Sequence, residues 1–206
     1  MAQRVRPTVL AAERVVPVSG MLEGLLPGGG LQRGSVTALD GPPGRGVTSL
    51  ALHLIAATTA AGEWAAFIDL DGSVGGLAAA EAGAALDRTA VVRGVPPDRW
   101  AAVTASLVDG LTMVVAEVPS RCRASDARRL TARVRERDAV LVVTGAWPVE
   151  AALTLRAMGG AVTGAVGGEV DGGWSGLTPE GGLLEQRCLC VAIEHRGATR
   201  TVALAG

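Results

Sequence analysis

Lysine, asparagine and tyrosine are absent from this 206-residue chain, and phenylalanine occurs once. All 19 basic residues are therefore arginine; they face 20 acidic ones, for a formal charge of −1. That balance excludes a global basic field that would draw the protein to nucleic acid or an anionic membrane. We read the residue usage as GC-rich coding bias. Aromatic residues make up 2% of a chain that is 49% hydrophobic, so the apolar material is mostly Ala, Val and Leu. Such a composition excludes disorder and points to helices and strands packed through small side chains. Cysteine is scarce: Cys122, Cys188 and Cys190 form an odd set without metal-type spacing, against both a disulfide framework and zinc. Cys188 and Cys190 alternate with Leu189 and Val191, the pattern of two small buried residues on one strand face. Long apolar runs are missing as well. The opening "MAQRVRPTVLAAERVVP" lacks the block of a signal peptide, and no stretch has the length and apolarity to span a bilayer. A reducing cytoplasm without membrane attachment is the expectation.

The length suits one α/β domain and is short for two. Residues 1–34 read as an Arg- and Gly-punctuated lead-in to a single domain over 35–206, with "LLPGGGLQRGS" as its closing turn. Apolar runs predict strands at 35–39, 64–70, 89–94, 111–118 and 139–145. Helical patterns fall between them, at 47–62, in "GGLAAAEAGAALD", in "PPDRWAAVTASLVDG" and at about 124–137. One more short helix is expected in "VEAALTLRAMGG", before a segment (159–182) whose ten glycines change the character of the chain. "RCLCVAIEHRGATRTVALAG" then predicts a hairpin turning at Arg196-Gly197. Alternating strands and helices imply a mostly parallel sheet, with the terminal hairpin extending one edge antiparallel.

The most informative stretch is "DGPPGRGVTSL", residues 40–50. From Gly41 to Thr48 it has the layout of a phosphate-binding loop, Gly-x-x-x-x-Gly-Lys-Ser/Thr. Gly41, Gly44 and Gly46 would let the backbone wrap an anion, and the helix that follows offers free N–H groups. Thr48 takes the hydroxyl position that holds magnesium in such loops, with Ser49 beside it. The lysine position, however, holds Val47, which can neither donate a hydrogen bond nor neutralise charge on a transferred phosphoryl group. The loop's own cation, Arg45, stands two residues earlier and leaves the apex in a different direction. Two acids occupy the other stations of a nucleotide site: Asp71, after the strand "FIDL", and Glu117, near the end of "LTMVVAEV". Without the lysine these carboxylates would repel phosphate.

In order and spacing, "LLPGGGLQRGSVTALDGPPGRGVTSLALHLIAATTAAGEWAAFIDLDG" resembles the core of RecA, the bacterial recombinase. The similarity can be followed to about residue 145. Asp71 stands where RecA has its catalytic glutamate, Glu117 where it has aspartate, and Val47 where it has lysine. Segments matching its DNA-contacting loops, near 119–126 and 146–158, are short and dissimilar. A shortened RecA-like chain with a degenerate loop, opening on "VVPVSGMLEGLLPGGGLQRGSVTALDG", is most similar to the ImuA/ImuA′ group, and the residue usage agrees with an actinobacterial member. That resemblance implies an accessory role in the damage-induced mutasome. Its partners would be an ImuB-type Y-family-like protein and, through it, an error-prone replicative-type polymerase and the sliding clamp.

"RCRASDARRLTARVRERD" carries seven arginines, while Ala127, Leu130 and Val134 form a single apolar stripe. Most of the arginines are thus expected on a solvated face with ion pairs of its own. The other reading makes Arg128, Arg129 and Arg133 a patch for DNA phosphate or an acidic partner. Trp174, in "GGEVDGGWSGL", would be a partner anchor if exposed on a mobile loop. His53 and His195 lack neighbours that suggest catalysis. The sequence thus predicts a RecA-like P-loop α/β fold, with a mostly parallel sheet flanked by helices and a C-terminal antiparallel hairpin at the edge. The expected function is that of a scaffold without catalytic residues, bound cofactor or metal. The alternatives are a small RecA-family ATP-binding protein or ATPase using Arg45 and magnesium, and a regulator binding RecA or single-stranded DNA.

Overall fold

A computed structural model describes residues 15–18, 26–158, 174–177, 184–195 and 197–205. Two short strands, β1 (Val15–Pro17) and β2 (Gly30–Gln32), pair antiparallel. The main sheet begins with β3 (Ser35–Asp40), followed by helix α1 (Val47–Ala60), strand β4 (Ala65–Asp69) and the short helix α2 (Gly76–Glu81). Then come β5 (Thr89–Arg93), α3 (Trp100–Gly110), β6 (Met113–Glu117), α4 (Ala124–Arg137) and β7 (Val140–Thr144). Strands β8 (Leu153–Met158), β9 (Trp174–Leu177), β10 (Leu184–His195) and β11 (Ala198–Ala205) complete the chain.

The sheet runs in the order β11-β10-β8-β3-β7-β6-β4-β5, and β9 pairs with the outer part of β10. The strands from β8 to β5 are parallel, while β10 and β11 form an antiparallel hairpin against β8. This is an α/β fold of the RecA-like kind, with the anticipated antiparallel extension at one edge.

The central strands read as near-continuous apolar runs because both of their faces are covered. Alternate residues serve opposite layers. Phe67, Met113, Val115, Val140 and Val142 pack under α1 with Leu50, Leu54 and Ile55. Ile68, Val114, Ala116, Leu141 and Val143 pack under α3 and α4 with Trp100, Leu130 and Val134. Helix α1 is apolar nearly all round, and its Thr58 and Thr59 hydroxyls donate back to the Leu54 and Ile55 carbonyls (2.9 and 3.0 Å). Helix α4 buries the predicted stripe, Ala127, Leu130 and Val134, and ends on Asp138 in the left-handed region (φ 54°). Val16, Val18, Leu26 and Leu31 join the α1-side core, so this part of the lead-in packs on the domain.

Two expectations are corrected. "LTLRAM" is the strand β8, not a helix: Leu153, Leu155 and Ala157 are buried and alternate with more exposed Thr154, Arg156 and Met158. A period of two against a vacant edge of β3 overrides the helix preference of Leu, Ala and Met. Trp174 was expected on a loop, but its backbone lies in β9, opposite Arg187; its side chain is outside the described set. The segment 159–173 and the Arg196 half of the predicted turn also lie outside the described residues. Cys190 is half-buried, while its strand neighbours Val191, Ala192 and Ile193 are buried. The Cys188 side chain is not described.

Candidate functional site

Because β3, β4, β6 and β7 are parallel, their carboxyl ends open on one edge of the sheet. The register places Leu39 and Glu117 on either side of Thr144, and Ile68 beside Ala116. One strand, β7, therefore separates the loop-bearing strand from the one carrying Glu117. Ligands of open parallel sheets sit at such an edge. Here a cleft of about 480 Å³ is lined by the loop from Gly41 to Ser49 with Arg45 excepted, by Asp71 and Glu117, and by Asp40 and Thr144. The fold thus brings together the predicted Gly41, Gly44, Gly46, Val47, Thr48, Ser49, Asp71 and Glu117. It leaves Arg45 outside the lining, and Arg128, Arg129 and Arg133 lie on α4, well apart in sequence and outside the cleft.

Gly44 and Gly46 adopt positive φ (77° and 97°), and Gly46 is the residue from which α1 starts without a side-chain cap. The Arg45 amide donates to the Pro42 carbonyl (3.2 Å), closing the turn. Gly41 also has positive φ (155°), and it has a steric reason to be glycine besides. A Cβ there would lie 2.6 Å from the Ala157 carbonyl oxygen and 3.1 Å from Val47 Cγ2. The loop is thus pressed against β8, and Val47 fills the space beside Gly41 while packing on the α1-side core. An aliphatic side chain at this station is used as packing material.

The carboxylates have distinct tasks. Asp69, fully buried, accepts from the Gly72 and Ser73 amides through Oδ1 (2.9 and 3.0 Å) and from the Val74 amide through Oδ2 (3.3 Å). Its Oδ2 also takes the Arg93 Nε–H (2.7 Å), and Arg93 donates a further bond to the Val74 carbonyl. This acid ties down the turn that aims Asp71. It was missed in the sequence, although the Asp-x-Asp-Gly spelling of 69–72 is an Asx-turn signal. Glu117 Oε2 accepts from the Leu70 and Asp71 amides (2.5 and 3.2 Å), lashing the end of β6 to the end of β4. Burial pushes the Glu117 carboxyl above the usual glutamate range, against those two amides, and the charges of Asp71 and Asp69 push the same way. Asp71 is exposed, and the Ser73 hydroxyl and amide beside it hold its carboxyl below the ordinary aspartate range.

Oxygens of Asp69, Asp71 and Glu117 approach within 4.8 Å of one another. Asp69 is consumed by its turn and does not line the cleft, so the magnesium a RecA-like site implies would have Asp71, Glu117 and the Thr48 hydroxyl to meet. Oxygen donors of this kind suit a hydrated divalent cation that also bridges phosphate. The phosphate side fits less well: the cleft is lined by three carboxylates, Asp40, Asp71 and Glu117, and by no arginine. Asp40 Oδ1 further accepts the Gly41 amide (2.8 Å), one of the N–H groups a phosphate would use.

The description "MT3502 N-terminal domain" matches residues 24–149, a range that holds β2 to β7 and the five residues after β7. The chain belongs to this family. Strands β8 to β11 lie outside the matched range of the MT3502 N-terminal domain. Shorter stretches are similar to curated proteins. The DNA repair and recombination protein RadB of Halobacterium salinarum is 49% identical over 53 residues, 26% of this chain and 22% of RadB. RadB of Methanosphaera stadtmanae is 37% identical over 60 residues, 29% and 25% of the two chains. Protein RecA of Synechocystis is 50% identical over 44 residues, 21% and 12%. The matched parts therefore span about a quarter or less of these relatives.

On α4, Arg133 forms a two-pronged pair with Asp109 of α3, through Nε (2.6 Å) and a second nitrogen, and Arg137 Nε reaches the same carboxylate (3.2 Å). Arg128 and Arg129 are exposed. The ion pairs thus run between helices rather than within α4. No helix among the described residues is long and apolar enough to cross a membrane.

Proposed function

We propose that this protein is a RecA-like body of a DNA-repair assembly that works by docking rather than by turning over nucleotide. One observation carries the reading. At the lysine station stands Val47, packed between Gly41 and the core, in a cleft lined by three carboxylates and no arginine. A nucleoside triphosphate would meet the loop amides but no cationic side chain among the described lining residues to balance charge gathering on the transferred group, where such contacts supply most of the catalysis. The DNA-repair assignment draws on the short similarities to proteins named RadB and RecA.

At finer grain, the degenerate loop, with Val47 at its lysine position, suits an accessory protein of the ImuA/ImuA′ kind, acting in damage-induced translesion synthesis. Its partners would be an ImuB-type Y-family-like protein, and through it an error-prone polymerase and the sliding clamp. No resident ATP, magnesium or other cofactor is required by this role, and its place is the cytoplasm. A tagged chain purified from DNA-damaged cells should bring down a Y-family-like protein, and Thr48→Ala should leave that association intact. Recovery of RecA or DNA alone, or loss of the partner on Thr48→Ala, would contradict the reading.

A further inference from the structure

Charge is unevenly spread along this chain. Residues 121–138 hold seven arginines against Asp126, Glu136 and Asp138, a formal side-chain charge of +4 in a chain whose total is −1. Everything else therefore sums to −5. The fold sorts these arginines into two sets. Asp109 of α3 draws Arg133 and Arg137 to the flank of α4 that faces α3. Arg121, Arg123, Arg128, Arg129 and Arg135 are exposed, and their side chains make no ion pair or hydrogen bond among the described residues. Seven residues are about two helical turns. Arg128 and Arg135 thus stand in line on the flank of α4 turned away from α3, with Arg129 on the outer side. Arg135 also borders a recess of about 300 Å³ with Ser35, Thr131 and Glu150. Neither Glu150 nor the three acids of the stretch pairs with any of the five.

A polyphosphate and an acidic protein surface would both offer the charge such a face calls for. Protein interfaces, however, are centred on aromatic or aliphatic anchors. Besides its arginines, α4 exposes only Ser125, Ala132 and Glu136. The large apolar side chains that are exposed among the described residues, such as Trp64 and Leu77, lie on other elements. A phosphate backbone needs no such anchor, because its affinity for protein is charge neutralisation by basic side chains. Nor does the stretch hold an aromatic residue on which the bases of a single strand could stack. Duplex DNA carries one charge per about 1.7 Å of axis, so a helix of about 21 Å can lie along roughly twelve of them. We propose that the outer face of α4 binds duplex DNA through its phosphates, without reading sequence. Arg128, Arg129 and Arg135 make the central contacts, and Arg121 and Arg123 extend them at the amino end of the helix. The negative remainder of the chain turns this face toward the polyanion. The surface is additional to any protein docking, and it works whether or not the loop takes nucleotide.

The test is fluorescence anisotropy of the full chain, without nucleotide, on a labelled duplex of about 24 base pairs and on one of its strands, across a salt series. Five phosphate contacts predict that log K falls against log salt with a slope of about −4.5, alike for unrelated duplex sequences. Arg128→Gln with Arg129→Gln and Arg135→Gln should flatten the slope to about −1.8 and weaken binding roughly tenfold or more at low salt. Glutamine keeps the helix preference, and the three side chains hold no partner, so this variant should melt with the unaltered protein. Arg200→Gln, at an exposed position on β11, should leave slope and affinity unchanged. Absence of binding at low salt, or a triple variant with an unaltered slope, would overturn the proposal. So would tighter binding to the single strand, or to polyglutamate of matched charge, than to the duplex. If the triple variant fails to fold, the unaltered protein's salt slope and its preference for duplex still decide the matter.

Discussion

Gly41→Ala separates a loop kept for packing from a loop kept for phosphate. The added Cβ would sit 2.6 Å from the Ala157 carbonyl oxygen and 3.1 Å from both the Ala157 Cβ and Val47 Cγ2. Ala157 has little room to retreat, because β8 is held between β3 and β10, with Ala157 opposite Val191. Forcing a methyl group into a filled space of this kind costs about 1–3 kcal/mol. For a domain of this size that corresponds to roughly 2–4 °C in Tm per kcal/mol, so a loss of about 2–12 °C is expected. Gly44→Ala is the comparison: its φ is 77° and nothing lies within 4 Å of a new Cβ, so it carries the left-handed penalty alone, about 1–2 kcal/mol, whereas Gly41, at φ 155°, carries backbone strain together with the contact. Calorimetric melting without nucleotide should rank Gly41→Ala below Gly44→Ala, and both below the unaltered protein. A Gly41→Ala protein that melts with the unaltered one would refute the packing argument.

Asp69→Ala would strand three amides and Arg93, costing roughly 2–3 kcal/mol; hydrogen exchange should accelerate at Gly72, Ser73 and Val74 before the rest of the domain. Glu117, with its carboxyl raised by burial and neighbouring charge, favours the fold while protonated and loses that contribution as pH climbs through its folded-state value. Glu117→Gln, which keeps an acceptor for the Leu70 and Asp71 amides, should therefore flatten the stability profile just above the ordinary glutamate range and leave the protein no less stable at neutral pH. Denaturant midpoints across pH check this, and an unchanged slope would count against it. Leu155→Ala should cost about 2–5 kcal/mol as a core strand residue; a loss near zero in urea unfolding would mean β8 is not part of the core.

The parallel sheet was legible because β3, β4, β6 and β7 are apolar runs punctuated by glycine and separated by helix-length segments. The stripe of Ala127, Leu130 and Val134 fixed the packed face of α4 in the same way. Strand β8 was misread because Leu, Thr, Leu, Arg, Ala and Met satisfy a helical and an alternating pattern equally over six residues. What decided between them was the vacant edge of β3, a tertiary fact. At the site, the loop and the acids Asp71 and Glu117 could be read from spacing. The role of Asp69 was only half legible: the Asp-x-Asp-Gly spelling signals a turn, but not that the acid is buried and bonded to Arg93. The Asp40–Arg156 pair was hidden for a related reason: its partners are over a hundred residues apart and meet only through the β3–β8 register.

The most direct measurement is calorimetric titration of the purified protein with ATP and magnesium, alongside a phosphate-release assay. The account predicts no saturable heat at millimolar nucleotide and no release above background, with Arg45→Ala indistinguishable from the unaltered chain. Tight binding with steady turnover that disappears in Thr48→Ala would contradict it.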